Sequence, residues 1–144
     1  MLRGPIIHPT LLEALARCGH GSEIVIVDAL YPSVTHVNPA ADRVELNLTP
    51  GTVPAATILE LVGQSLQIEK ATYMRDADGG VSEPVAEFQE LLEGHTHHGG
   101  DAVEWDSLER FDFYSAARGE DVSLVIVSGE VRPYACLMLT VGVP

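Results

Sequence analysis

Apolar residues recur along this chain with two periods, and their alternation predicts its elements. Leu11, Leu12 and Leu15 form one face of a short helix, with Thr10 as N-cap and Gly19 placed to end it in a left-handed conformation. Ile24-Val25-Ile26-Val27 is an unbroken β-branched run, short enough to be a strand buried on both faces, and it ends on an acid, Asp28. Tyr31-Pro32 turns the chain, and residues 31 to 43 lack periodicity and read as loop. Val44 to Leu48 alternates apolar and polar, which predicts a short half-exposed strand.

Helical spacing returns at Ile58, Leu59, Leu61, Val62 and Leu66, so a helix is expected over Val53 to Leu66 with Thr52 as cap. Ile68 to Arg75 alternates again and stops at the turn Asp76-Ala-Asp-Gly-Gly80. Ser82 caps a helix whose stripe is Val85, Phe88, Leu91 and Leu92, and Gly94 stops it. Ser107 reads as the cap of a third well-marked helix, Leu108 to Arg118, closed by Gly119. Val122 to Val127 is the second continuous apolar strand, turned by Ser128-Gly129-Glu130, and Tyr134 to Val141 predicts a last strand. Helices alternating with strands, two of them apolar on both faces, predict an α/β fold of three layers. Its sheet is largely parallel or mixed, with helices on both sides and at least one antiparallel pair near the C-terminus. A chain of 144 residues fits one domain, so residues 1–144 are expected to share a single core.

Composition narrows the partners. The chain has 21 acids against 8 Lys plus Arg, a formal charge of −13, and its bases are scattered, so neither nucleic acid nor an anionic membrane surface is an expected partner. Hydrophobic residues make up 46%, a slight excess that suits subunit interfaces. Cys18 and Cys136 have neither zinc spacing nor the density of a disulfide scaffold, and read as reduced thiols. With no apolar run near the ~18 residues of a membrane span and no signal-peptide segment at Met1-Leu2-Arg3-Gly4-Pro5, a cytoplasmic location is the expectation.

Candidate chemistry concentrates in Cys18-Gly-His-Gly-Ser-Glu-Ile-Val-Ile-Val-Asp28. His20 sits between two glycines, and Asp28 ends a strand, where open α/β sheets bind ligands. The plainer reading of the same residues is a helix stop, an exposed loop histidine and a turn-capping aspartate. His95, His97 and His98 are close enough in sequence to share an ion, but they are flanked by glycines and have no carboxylate or cysteine at ligand spacing, so no metal site is expected. Arg110 falls in the first turn of the predicted helix, where the dipole disfavours a cation by about 0.3–1 kcal/mol. Either another duty holds it there or it forms a surface ion pair with Glu109 or Asp106. There is no GxGxxG, P-loop or GxSxG elbow.

Several separated stretches together resemble a known family. They are Leu11-Leu12-Glu-Ala-Leu-Ala-Arg-Cys-Gly-His-Gly-Ser-Glu-Ile-Val-Ile-Val-Asp-Ala, Arg110-Phe-Asp-Phe-Tyr114, Ser128-Gly-Glu130, Pro133-Tyr-Ala-Cys136 and Val141-Gly-Val143. In that order they are similar to the D-ribose pyranase and L-fucose mutarotase family; residues 34 to 100 share only its element order. The resemblance implies that His20 is the catalytic proton donor and that Asp28 contacts the sugar. It also places Tyr134, Ala135 and Cys136 on the family's sugar-binding Tyr-Gly/Ala-Asn triplet. Arg110 before an aromatic segment sides with the fucose branch. Two positions depart from the pattern: Cys136 stands where the family has Asn, and Ser22 where it usually has Asp. Family members form rings, commonly decamers, with sites shared between subunits, so a homo-oligomer is implied.

Anomer interconversion of a free sugar opens and recloses a hemiacetal, giving a proton to the ring oxygen and taking one from the anomeric hydroxyl. No metal or organic cofactor is required. A histidine with an ordinary pKa near 6.5 exchanges such protons at neutrality, and a placed acid or base contributes roughly 100- to 10,000-fold. The expected substrate is a monosaccharide, L-fucose ahead of D-ribose; the alternative is a non-catalytic sugar-binding protein of the same fold, suggested by Cys136. A strand over residues 24–27 would span ~13 Å and separate His20 from Asp28. Either the Gly19 and Gly21 joints fold His20 back along the sheet, or His20 of one subunit serves the site of another.

Overall fold

A computed structural model describes residues 1–144. In chain order its first elements are α1 (Pro9–Arg17), β1 (Glu23–Val27), β2 (Asp42–Glu45), α2 (Ala55–Ser65), β3 (Ile68–Met74) and α3 (Glu83–Leu91). A small hairpin follows, β4 (Thr96–His97) and β5 (Asp101–Ala102) around a 3-10 turn at His98–Gly100. The chain then completes its sheet with β6 (Glu104–Leu108), α4 (Arg110–Ala117), β7 (Val122–Val127) and β8 (Leu137–Val141).

The two apolar runs, β1 and β7, pair in parallel inside a six-stranded sheet of order β2-β7-β1-β8-β3-β6. β2 on β7 and β6 on β3 are also parallel, whereas β8 is antiparallel to both of its neighbours, β1 and β3. The sheet is therefore mixed, with the antiparallel strand at its centre.

Alternation in β1 explains the layers. Ile24 and Ile26 point into one core with Leu11 and Leu15 of α1, Ile58, Leu59 and Val62 of α2, and Val85 and Phe88 of α3. Val25 and Val27 point into the other, with Phe113 and Ala117 of α4 and with Tyr31 and Val37 from the loop after β1. Each continuous apolar run is thus covered on both faces, as its composition requires. No helix is long and apolar enough to cross a membrane.

Several boundaries differ from the sequence expectation. His8 rather than Thr10 caps α1, its ring Nδ1 accepting the Leu11 N–H at 3.2 Å, and Pro9 occupies the first turn, where a missing N–H costs nothing. Pro54, not Thr52, precedes α2. Ser82 caps α3 as expected. β2 lies at residues 42–45 instead of 44–48, since only its register on β7 supplies partners and Leu48 is left exposed.

The largest correction concerns residues 104–118. Ser107 is not a helix cap but part of β6, an edge strand paired with β3, and α4 begins at Arg110. Glu109 is its cap, with Oε2 accepting from Phe111 N at 2.9 Å and Asp112 N at 3.4 Å. With Glu104 and Asp106 charged on an edge strand, β6 has the look of an exposed segment in sequence, and those same charges discourage further strand addition.

Candidate functional site

Because β1, β3 and β6 run in the same direction while β8 opposes them, the ends of the first three and the start of β8 meet at one edge of the sheet. That edge is where an open α/β sheet binds ligands. A cavity of about 180 Å³ opens there, lined by Asp28, Leu30, Tyr31, Met74, Arg110, Tyr114, Pro133, Tyr134 and Cys136. Drug-sized ligands take roughly 300–1,000 Å³, so this volume suits a smaller molecule.

Asp28 forms its floor and is 4% exposed. Oδ1 accepts the Leu30 N–H at 2.9 Å, while Oδ2 accepts the Ala135 N–H at 3.2 Å and the Cys136 thiol at 3.4 Å. Burial raises the Asp28 pKa, opposed by these hydrogen bonds. Burial also pushes the Cys136 thiol well up, so it remains S–H and a donor. One carboxylate thereby ties the exit of β1 to the entry of β8, and Ala135 takes part through its main chain.

Arg110 borders the cavity at the first residue of α4. Neither expected ion pair forms: Glu109 caps the helix, and Asp106 pairs with Lys70 at 3.2 Å. The guanidinium instead lies 4.7 Å from the Phe111 ring centroid and 5.9 Å from that of Tyr114. Such contacts are worth about 0.5–1 kcal/mol at exposed sites, enough to offset the unfavourable dipole. Tyr31 and Tyr114 meet edge-on at 5.1 Å between centroids and supply an aromatic wall that the sequence reading did not single out. Tyr114 was visible only as the end of the Phe-x-Phe-Tyr segment.

Tyr134 is not on a strand. It occupies a turn with φ +60°, and β8 starts only at Leu137. Tyr134 and Cys136 nevertheless line the same cavity, because the left-handed turn, and not strand alternation, directs both. The buried Glu130 carboxylate, held below the usual range by hydrogen bonds from Arg132, anchors the start of this segment. Its folded pKa lies below its unfolded value, so its contribution is complete above the ordinary glutamate pKa of about 4.3 and is lost as pH falls through the lowered folded value. Calorimetry between pH 6 and 3 is expected to show a fall in thermal midpoint below about pH 4.3, and Glu130→Gln should flatten that part of the curve.

His20 lies elsewhere. It precedes β1 whereas Asp28 follows it, and the five residues of that strand extend over ~16 Å. Gly21, with φ +82°, carries the chain straight into the sheet by donating its N–H to Val141 O at 2.9 Å, so the glycine joint does not fold His20 back toward Asp28. The imidazole Nε2 instead meets Glu69 Oε2 at 3.0 Å, with the His20 side chain 59% exposed. A separate cavity of about 570 Å³ adjoins His20, lined also by Cys18, Gln64, His95, Val141 and Pro144. His97 and His98 belong to the β4–β5 hairpin and His95 immediately precedes it, and no three His, Cys, Asp or Glu side chains gather there or elsewhere as metal ligands.

Known proteins similar to this chain in sequence and shape include D-ribose pyranases and L-fucose mutarotases. The L-fucose mutarotase of Haemophilus influenzae (strain 86-028NP) is 34% identical over 148 residues, covering 99% of this chain and 97% of that protein. The D-ribose pyranase of Variovorax paradoxus (strain S110) is 32% identical over 143 residues, covering 99% and 98%. Bacillus subtilis RbsD, solved with D-ribose, superposes with a TM-score of 0.81 at 25% identity, over 100% of this chain and 99% of that one. The fucose mutarotase of Streptococcus pneumoniae, solved with L-fucose, gives 0.80 at 26%, again over 100% and 99%. With the family described as RbsD / FucU transport proteins matching residues 1–144 from end to end, the chain belongs to that family.

Proposed function

We propose that residues 1–144 act as one monosaccharide mutarotase unit that interconverts the anomers of a free sugar in the cytoplasm, L-fucose before D-ribose. The observation that carries this reading is the cavity at the sheet edge. It gathers a buried carboxylate, a guanidinium and tyrosine rings in a volume suited to a small polar ligand. The preference for fucose rests on the resemblance of Arg110 and the aromatic segment after it to the fucose branch, and Arg110 borders that cavity.

His20 gives its proton to the ring oxygen as the C1–O bond breaks, and Asp28, or a water held on it, takes the proton of the anomeric hydroxyl. The open aldehyde turns about its C1–C2 bond, and reclosure on the other face reverses both transfers. Protons balance over the cycle, so no cofactor is consumed. Since His20 and Asp28 of one chain are at opposite ends of β1, the donor reaches the cavity from a neighbouring subunit of a ring. This makes a homo-oligomer, a decamer by family resemblance, part of the mechanism. Arg110 and Tyr134 orient hydroxyls, and the Ala135 main chain holds Asp28 in place.

Saturation-transfer NMR across a panel of monosaccharides tests the reading. Faster anomer exchange on L-fucose than on D-ribose is the expected result; the reverse order would assign pyranase-type activity, and sugar binding without acceleration would favour the non-catalytic alternative. If Asp28 is the base, the acid limb of the kcat/KM profile should lie above the ordinary carboxylate range, as burial dictates.

Cys136 tunes affinity. A thiol is a weak donor and acceptor, and here it is spent on Asp28. An amide in its place adds one neutral hydrogen bond worth about 0.5–1.5 kcal/mol, so Cys136→Asn is expected to tighten sugar binding roughly 2- to 13-fold. Sugar preference should change more than the maximal rate. Exchange rates on fucose and ribose check this, and an unchanged selectivity profile would show that position 136 acts through its main chain.

A further inference from the structure

The turn that presents Tyr134 is held from outside the cavity. Its φ of +60° is a left-handed conformation that a tyrosine keeps only when its surroundings enforce it. Two of the enforcing contacts are adjacent: the Ser82 hydroxyl, at the start of α3, donates to Tyr134 O at 2.9 Å, and Ala135 N–H is fixed on Asp28. The third lies two residues upstream and does not border the cavity.

Arg132 grips two carboxylates at once. Its Nη1 and Nη2 reach Glu87 of α3 at 2.7 and 3.0 Å, and its Nε and Nη2 reach Glu130 at 3.0 and 2.9 Å. Its own N–H also donates to Glu130 Oε1 at 3.1 Å, and Glu83 lies 3.3 Å from Nη1. Glu130 is buried, and its main chain is bonded to both Ser128 and Ala29, next to Asp28. A single exposed ion pair would fix little, but a planar fork engaging two carboxylates, one of them buried, sets an orientation.

We propose that Arg132 is a positioning residue for the sugar site, its double fork on Glu87 and Glu130 locking the 131–134 turn to α3 and thereby holding Tyr134 toward the cavity. The inference rests on the sugar-site reading above and adds that α3, which contributes no residue to the cavity wall, helps to set its shape. Lysine at 132 would keep the charge without the fork.

Arg132→Met and Glu87→Gln test it with two independent readouts. In the sugar-free protein, amide hydrogen exchange at Ala135 is expected to be at least about tenfold faster in Arg132→Met, with Ile26 and Ile126 in the central strands unchanged. Unchanged Ala135 protection overturns the proposal whether or not the protein turns over sugar. For anomer exchange on L-fucose, KM should rise at least about tenfold with kcat altered less than about threefold. The double variant Arg132→Met/Tyr134→Ala should raise KM by less than the product of the two single effects, because both changes act on the Tyr134 contact; fully additive losses would overturn the inference. If Arg132→Met leaves buried Glu130 unpaired and fails to fold, Glu87→Gln carries the test through faster Ala135 exchange by at least about twofold, and no change there overturns it. A wild-type protein inert toward every sugar would sink the mutarotase reading alone, since hydrogen exchange would still judge the clamp.

Discussion

His20→Gln is expected to leave the fold intact and lower enzyme-dependent anomer exchange by at least about 100-fold, the lower end for loss of an acid-base group. The fold should survive because the side chain is mostly exposed and its one polar partner, Glu69, is itself at the surface. Asp28→Asn should be comparably inactive, for the opposite reason, since it alters a group at the floor of the cavity. The informative experiment combines the two. If each site takes His20 from one subunit and Asp28 from another, mixed rings contain sites with both native residues, about one quarter of them at equal mixing. Recovered exchange after co-refolding would demonstrate the shared site, whereas a mixture as inactive as its parents would require His20 and Asp28 to act within one chain. Light scattering that gave a 15.5 kDa monomer at micromolar concentration would remove the shared site altogether.

Phe113→Ala is expected to cost about 3–5 kcal/mol of stability, the usual range for deleting a buried phenylalanine. Phe113 is 0% exposed and joins α4 to the sheet through Val25, Val27, Val125 and Met138, with Tyr31 6.2 Å away edge-on. No neighbouring helix shares the load, because α4 is the one helix on that face. The same helix presents Arg110 and Tyr114 to the cavity, so sugar affinity should fall along with stability. Phe113→Leu retains most of the volume and should lose much less. Chemical denaturation of the three proteins measures the difference, and a loss under about 1 kcal/mol for Phe113→Ala would mean that the α4 core collapses around the vacancy.

Legibility in the sequence followed burial. β1 and β7 could be read directly because strands covered on both faces must be apolar throughout, and α3 because Ser82 and its stripe of apolar residues agree. β6 could not be read. Its two packing contacts, Trp105 and Leu108, fall on opposite faces of an edge strand, and what makes it a strand is pairing with β3, a partner more than thirty residues away. Arg110 and the Asp28 position carried chemical signals that the structure places together; the plainer reading of His20 as an exposed loop histidine remains true of the isolated chain.

The sequence by itself therefore determined the alternation of helices and strands, the α/β class with helices on two faces, and the residue types from which a sugar site can be built. Local periodicity and turn chemistry suffice for that, because both are written in neighbouring residues. Only the tertiary structure decided which of those residues meet. It placed antiparallel β8 between β1 and β3, which brings Cys136 against Asp28. It set Tyr134 in a left-handed turn fastened to α3, and left His20 at the far end of β1. Each of these depends on contacts between residues distant in sequence, whose spacing leaves no local trace, and on the direction of a strand, which no pattern of side chains along that strand encodes.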